Sequence, residues 1–199
     1  EISEDLIDAE INRANVKIAR GYAEGLCVYR AICYRLPIDF NAYLFHSAVI
    51  EYNGDGYAFS AKSGTGKSTH ARQWLAAYDD AWLLNDDNPI LRVMNDGQVR
   101  VYGSPWSGKT PCYRNECYPL RAMVRLSQAP HNAIKQLRGV RAIGALLPSL
   151  PPAFVFDKAL ENAMLGVLSK VLGKVKVYHL ECLPNAEAAE LSYSTIFGK

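Results

Sequence analysis

The run Ala61-Lys62-Ser63-Gly64-Thr65-Gly66-Lys67-Ser68-Thr69 carries the residues best suited to chemistry in this chain. Gly-x-Gly followed by Lys and Ser is the composition of a loop that cradles phosphates. Gly64 and Gly66 let the backbone approach a polyphosphate, so that successive N–H groups and the N-terminus of a following helix point at it. Lys67 supplies positive charge for the β- and γ-phosphates, and Ser68 a hydroxyl for a phosphate-bound Mg²⁺. Ser63, Thr65 and Thr69 complete the nucleotide-binding stretch. Ala61 stands where the full G-x-x-x-x-G-K-[ST] pattern opens on glycine. Alanine resists positive φ, so the turn into the loop must stay in an ordinary backbone region.

A second constellation follows. The apolar run Ala81-Trp82-Leu83-Leu84 leads into Asn85-Asp86-Asp87-Asn88-Pro89. NTPases place a metal-binding acid at the end of such a strand. Side chains alternate along a strand, so Asp86 and Asp87 face different ways unless the strand has already ended. One could hold Mg²⁺ while the other takes a proton from an acceptor hydroxyl. The same five residues also have the composition of a turn. His46 lies inside the apolar stretch 43–52 and reads equally as a hydrogen-bonded core residue or a site residue. Lys109 and Arg114, in the irregular stretch 103–115, could clamp phosphates, and Trp106 could pack on a base or acceptor. Gly108-Lys109-Thr110 imitates the end of a second phosphate loop. Pro111 disfavours a helix directly after it, so the stretch reads as an active-site loop instead.

These residues need elements to position them. Tyr57-Ala58-Phe59 reads as a strand, and His70 to Leu75 as a helix with Ala71, Trp74 and Leu75 on one face. Strand, glycine-rich turn, helix is the required setting for a phosphate loop. Upstream, 3–36 is mostly helical, capped by Ser3, with a stripe of Leu6, Ile7, Ile11, Ala14 and Ile18. A break is expected near Gly21 and Gly25, and Pro37 is expected to end the helix. Residues 43–52 read as one strand before the Asn53-Gly54 turn. Downstream come a hairpin of 90–94 and 99–102, a strand over 119–127, and further elements over 134–137 and 140–147. A helix over 154–172 carries an apolar stripe that includes Phe156. A strand over 175–180 and a helix over 186–196 capped by Asn185 close the chain.

With 199 residues, 49% hydrophobic and 21% charged, the chain has the composition of a globular domain with a substantial core. The net charge of +2, with scattered basic residues, gives no footing for nucleic acid. No apolar run reaches membrane-spanning length and no signal-peptide pattern opens the chain. Five cysteines without a C-x-x-C pair fit a reducing cytoplasm and read as ordinary free thiols, Cys112 and Cys117 included. Residues 1–40 are expected as a helical segment packing on a P-loop domain of residues 41–199. The first residue, Glu1, leads to the expectation of a processed chain or a piece of a longer protein.

Taken together, these motifs resemble the P-loop superfamily shared by HPr kinase/phosphorylase and phosphoenolpyruvate carboxykinase. The run Ser63 to Thr69 is similar to the carboxykinase kinase-1 loop. His46 lies fifteen positions before Ala61, as an active-site histidine does in HPr kinases, and Asn85-Asp86-Asp87 resembles the paired aspartates of both families. The order of all segments looks closest to small bacterial stand-alone relatives, some found with peptide-modification genes. The resemblance implies an α/β fold with a mixed, curved sheet flanked by helices. It implies Lys67 and the loop amides on phosphates, Ser68 and Asp86 on Mg²⁺, Asp87 as base, and His46 in support. The expected activity is ATP- and Mg²⁺-dependent transfer of a phosphoryl group to a hydroxyl of a small molecule or of a peptide or protein serine. Oligomerisation is left open. The alternatives are a nucleotide-binding sensor without turnover and carboxykinase-like chemistry. The second calls for an oxaloacetate-binding arginine set to which no segment here corresponds.

Overall fold

The computed structural model describes residues 2–108, 110–151 and 157–198. Helix α1 (Glu4–Arg13) packs on α2 (Arg20–Asp39), burying Ile7, Ala23 and Cys33. The break falls at 14–19 rather than at Gly21 and Gly25, which both lie within α2. A Cβ at either glycine would meet nothing within 4 Å, so both sit on an open helix face. There each costs only about 1 kcal/mol of propensity. Pro37 does not end the helix either. It forfeits one N–H, and the next turn still closes, Phe40 N–H donating to Leu36 O at 3.1 Å.

The stretch 43–52 is two strands, not one. β1 (Ala42–Leu44) pairs antiparallel with β5 (Ile90–Val93), whereas β2 (Ser47–Tyr52) pairs antiparallel with β3 (Asp55–Ser60) and β4 (Trp82–Asp87). Between them the backbone serves other partners: Phe45 N–H donates to Pro89 O at 3.0 Å and His46 N–H to Ser149 O at 2.8 Å. His46 therefore sits in the gap and escapes the sheet's strict alternation. The β2–β3 hairpin turns at Asn53-Gly54, as the dipeptide predicts.

The expected mixed sheet flanked by helices is what the chain forms. β6 (Val99–Tyr102) joins β5 to the start of β7 (Cys117–Gln128), whose later residues run parallel to β3 on one side and β9 (Lys176–Cys182) on the other. β8 (Ala133–Leu137) adds antiparallel to β9. Twelve residues let β7 belong to both halves of the sheet, so its first residues pair with β6 while its last reach the phosphate loop.

Two apolar clusters cover the two faces. One gathers Val49, Ala58 and Met123 under α4 (Val140–Leu146) and α5 (Lys158–Leu172). The stripe over 160–171 faces this cluster, and Asp157 caps α5 by accepting from Ala159 and Leu160 N–H. The start expected at 154, with Phe156, lies outside the described residues. The other cluster gathers Tyr57, Phe59 and Val124 under α3 (Lys67–Ala77) and α6 (Ala186–Phe197). Trp74 is fully buried there and donates from Nε1 to Ser192 Oγ at 2.9 Å, pinning α3 to α6. Among the described residues no helix is long and apolar enough to cross a membrane.

Candidate active site

Strand directions gather the site. β3, β7 and β9 are parallel, and β4, antiparallel to β2 that is itself antiparallel to β3, runs the same way. Their carboxyl ends meet at one edge, the usual place for a ligand on such a sheet. β3 delivers the glycine loop there, β4 delivers Asp86 and Asp87, and β7 delivers Arg125 to Gln128. β2 runs the other way, so its first residue, and His46 just before it, arrive at the same edge.

The loop has the conformation its glycines suggest. Gly64 and Gly66 take φ of 79° and 118°, and Gly66 caps α3 without a side-chain oxygen. The first N–H groups of α3 are left to face an anion. Ala61 is 2% exposed and keeps a negative φ, so the mild replacement fits a buried turn. Gln128 Nε2 donates to Thr65 O at 3.2 Å and steadies the loop from β7.

The two carboxylates take separate partners, as alternation along β4 requires. Ser68 Oγ donates to Asp86, 2.9 Å from Oδ1 and 3.1 Å from Oδ2. Asp87 Oδ1 lies 3.3 Å from His46 Nδ1, and Asp87 Oδ2 accepts from Asn88 Nδ2 at 2.7 Å. His46 Nε2 is 2.7 Å from Lys67 Nζ. A neutral imidazole with its proton on Nδ1 satisfies both contacts: it donates to Asp87 and accepts from the Lys67 ammonium. The hydrogen bond from His46 holds the Asp87 carboxyl below its ordinary range. Burial pushes the Asp86 carboxyl up and the Lys67 ammonium down, the second against the pull of both aspartates.

The Asp86 shift has a consequence for stability. A raised folded-state value means that the folded chain holds this proton more tightly than the unfolded chain. That contribution is present below the ordinary carboxylate range and is lost as pH rises through the raised value. The ionised Asp86 is therefore less favourable to folding at neutral pH than its protonated form. Asp86→Asn is expected to raise Tm at pH 7 in EDTA, with the gain shrinking as pH falls through the carboxylate range. The same variant should weaken Mg²⁺-dependent nucleotide binding by about ten-fold or more. Thermal melts and calorimetry check both halves.

The described residues of the stretch 103–115 are irregular and anchored to β4. Gly103 stands five positions before Gly108, so Gly103 to Thr110 spells in sequence the full pattern that the 61–69 loop lacks at Ala61. It is no phosphate loop: residues 111–116 form no helix, and Gly108 N–H donates to Asp86 O at 3.0 Å. A Cβ on Gly108 would come within 2.6 Å of that oxygen, so glycine permits the approach. Buried Asn85 holds the same stretch through Ser104 Oγ at 3.2 Å and Trp106 O at 3.0 Å, and Cys112 Sγ donates to Leu84 O at 3.2 Å. Trp106 packs edge-to-face with Tyr29 of α2, centroids 5.3 Å apart.

Of the expected phosphate clamp, Lys109 lies outside the described residues. Arg114 does not reach the site. Its guanidinium lies 4.4 Å over the Trp82 ring and near Glu116, at the start of β4, whereas the carboxylates are at its end. A flat aromatic face beside an acid is the better local partner for a guanidinium. Arg125, which the sequence analysis does not single out, is an arginine that β7 brings to this edge, in register with Ser60. Beside the loop, on the α3–α6 face, opens a cavity of about 340 Å³ lined by Thr69, Gln73, Leu126, Gln128 and Asn185.

No protein-family model matches this chain, and no curated protein matches its sequence. Among solved structures it is similar to one described as the Hpr(Ser) kinase/phosphatase from Coxiella burnetii, at 10% identity and a TM-score of 0.43, covering 78% of this chain and 94% of that one. The chemistry open to this edge rests on its own residues: a nest of backbone donors, a lysine, a hydroxyl–carboxylate pair, and a second carboxylate oriented by a histidine.

Proposed function

We propose that this chain is an ATP- and Mg²⁺-dependent phosphotransferase whose acceptor is a hydroxyl, on a small molecule or on a peptide or protein serine. The observation that carries this reading is the division of labour at the strand ends. Ser68 with Asp86, and Lys67 with His46 and Asp87, form two chains of contact on either side of the loop's first helical turn. A sensor has no need of the second.

The Ser68 hydroxyl and Asp86 carboxylate are hard oxygen donors of the kind Mg²⁺ takes, and they would hold that ion. When bound, the ion would supply neutralisation of phosphate charge. The loop amides and Lys67 hold the phosphate chain. His46 fixes the Asp87 carboxylate, which stays ionised across the neutral range and accepts the proton of the acceptor hydroxyl. The acceptor oxygen forms its bond to the γ-phosphorus as the bond from that phosphorus to the bridging oxygen breaks, and ADP leaves. Positioning and charge neutralisation supply most of the rate.

Release of ADP from MgATP tests the proposal. Slow release without acceptor, stopped by EDTA, is expected. The absence of both ATP-induced thermal stabilisation and ADP release would contradict it.

A further inference from the structure

Arg125 is a half-buried cation without an anion. It stands in register with Ser60, the last residue of β3, and its side chain donates to Ser149 Oγ at 3.2 Å. Among the described residues no carboxylate lies within ion-pair distance of it. Charges taken out of water are ordinarily paired, so such a group beside a candidate site points to an anion supplied by a ligand.

The direction it faces identifies which ligand. Met123 belongs to the cluster under α4 and α5, and Val124 and Leu126 to the cluster under α3 and α6. Alternation puts Arg125 on Met123's face. Ser149, which receives its hydrogen bond, also accepts from His46 N–H at 2.8 Å. Arg125 is thus on the His46–Asp87 side of the loop, and the 340 Å³ cavity with Gln73 and Gln128 is on the opposite face. If the donor's nucleoside occupies that cavity, its phosphate chain crosses the loop toward Asp87. In-line transfer then brings the acceptor from Arg125's side. Two further polar groups share that face. Ser60 Oγ is buried with no hydrogen-bond partner, and Ser127 Oγ lies 2.9 Å from His179 Nε2.

We propose that the acceptor is an anionic hydroxyl compound, whose carboxylate or phosphate is bound by Arg125 while its hydroxyl lies at Asp87. This rests on the phosphotransferase reading and deepens it.

The test holds the hydroxyl constant and varies the charge. Glycerol, glycerate and glycerol 3-phosphate are titrated calorimetrically into protein saturated with Mg²⁺ and a non-hydrolysable ATP analogue. At least one anion is expected to bind about ten-fold or more tightly than glycerol, a charge-assisted hydrogen bond's worth, and the stronger of the two separates carboxylate from phosphate. Arg125→Gln should erase that preference while changing analogue affinity by no more than a few-fold, whereas Arg125→Lys should keep part of the preference. Anions binding no better than glycerol, or a preference that survives Arg125→Gln, would overturn the proposal. So would a variant that loses the nucleotide and keeps the preference, which would make Arg125 a donor ligand. If the analogue itself fails to bind, the nucleotide reading falls. The anion preference is then read in Lys67→Ala protein, where the loop's own attraction for anions is weakened.

Discussion

Asp87→Asn is expected to lower phosphoryl transfer by about 10²–10⁴-fold while leaving MgATP affinity within a few-fold of wild type. The amide keeps the shape of the carboxylate and a carbonyl oxygen toward His46 Nδ1, 3.3 Å away, so the site stays assembled. What it cannot do is accept the hydroxyl proton. Asp86, which lies on the other side of β4 and holds Ser68, is untouched by the change. Steady-state ADP release with binding measured in parallel separates the two effects. Equal loss of binding and turnover would move Asp87 from base to metal ligand. Binding by wild type with no turnover under any acceptor would favour the sensor.

Lys67→Ala carries the second large effect. It removes the one lysine placed at the first residue of α3, where the helix N-terminus and the loop amides already favour negative charge. MgATP affinity is expected to fall by about 10²-fold, on the scale of one or two charge-assisted hydrogen bonds. The lysine also has a pH signature. Burial lowers its value in the nucleotide-free protein, so its positive charge is lost at a lower pH than for an ordinary lysine. Affinity for nucleotide should therefore decline on the alkaline side before that point, and Lys67→Ala should flatten the decline. Asp87, held below the usual carboxylate range, should contribute no acid limb near neutrality.

What the sequence makes legible here is what is local. Gly64, Gly66, Lys67 and Ser68 lie within one turn, and the paired aspartates at the end of one strand, so spacing alone brings each group together. His46 is different. It reaches the site because β2 runs against β3 and β4, and because the chain crosses from one half of the sheet to the other between Leu44 and Ser47. An apolar run does not reveal such a change, which is why 43–52 reads as a single strand. Arg114 fails for the same reason in reverse: an irregular loop rich in Gly, Pro and Ser states that it turns, not where its cations end up. Trp82 and Glu116 decide that. Arg125 is hidden in a strand whose alternation makes it look like a solvated position, and its meaning depends on the parallel pairing of β7 with β3. Gly103 to Thr110 shows that even a complete pattern is silent about function when Pro111 denies it a helix.

The most direct measurement is a titration of isotope-labelled wild-type protein with ATP, with and without Mg²⁺, followed by amide NMR. The account predicts the largest shifts at Gly64, Gly66, Lys67 and Ser68, with Asp86 and Ser68 responding further when Mg²⁺ is added. Shifts absent from these residues while ATP binds elsewhere, or no response to ATP at all, would contradict it.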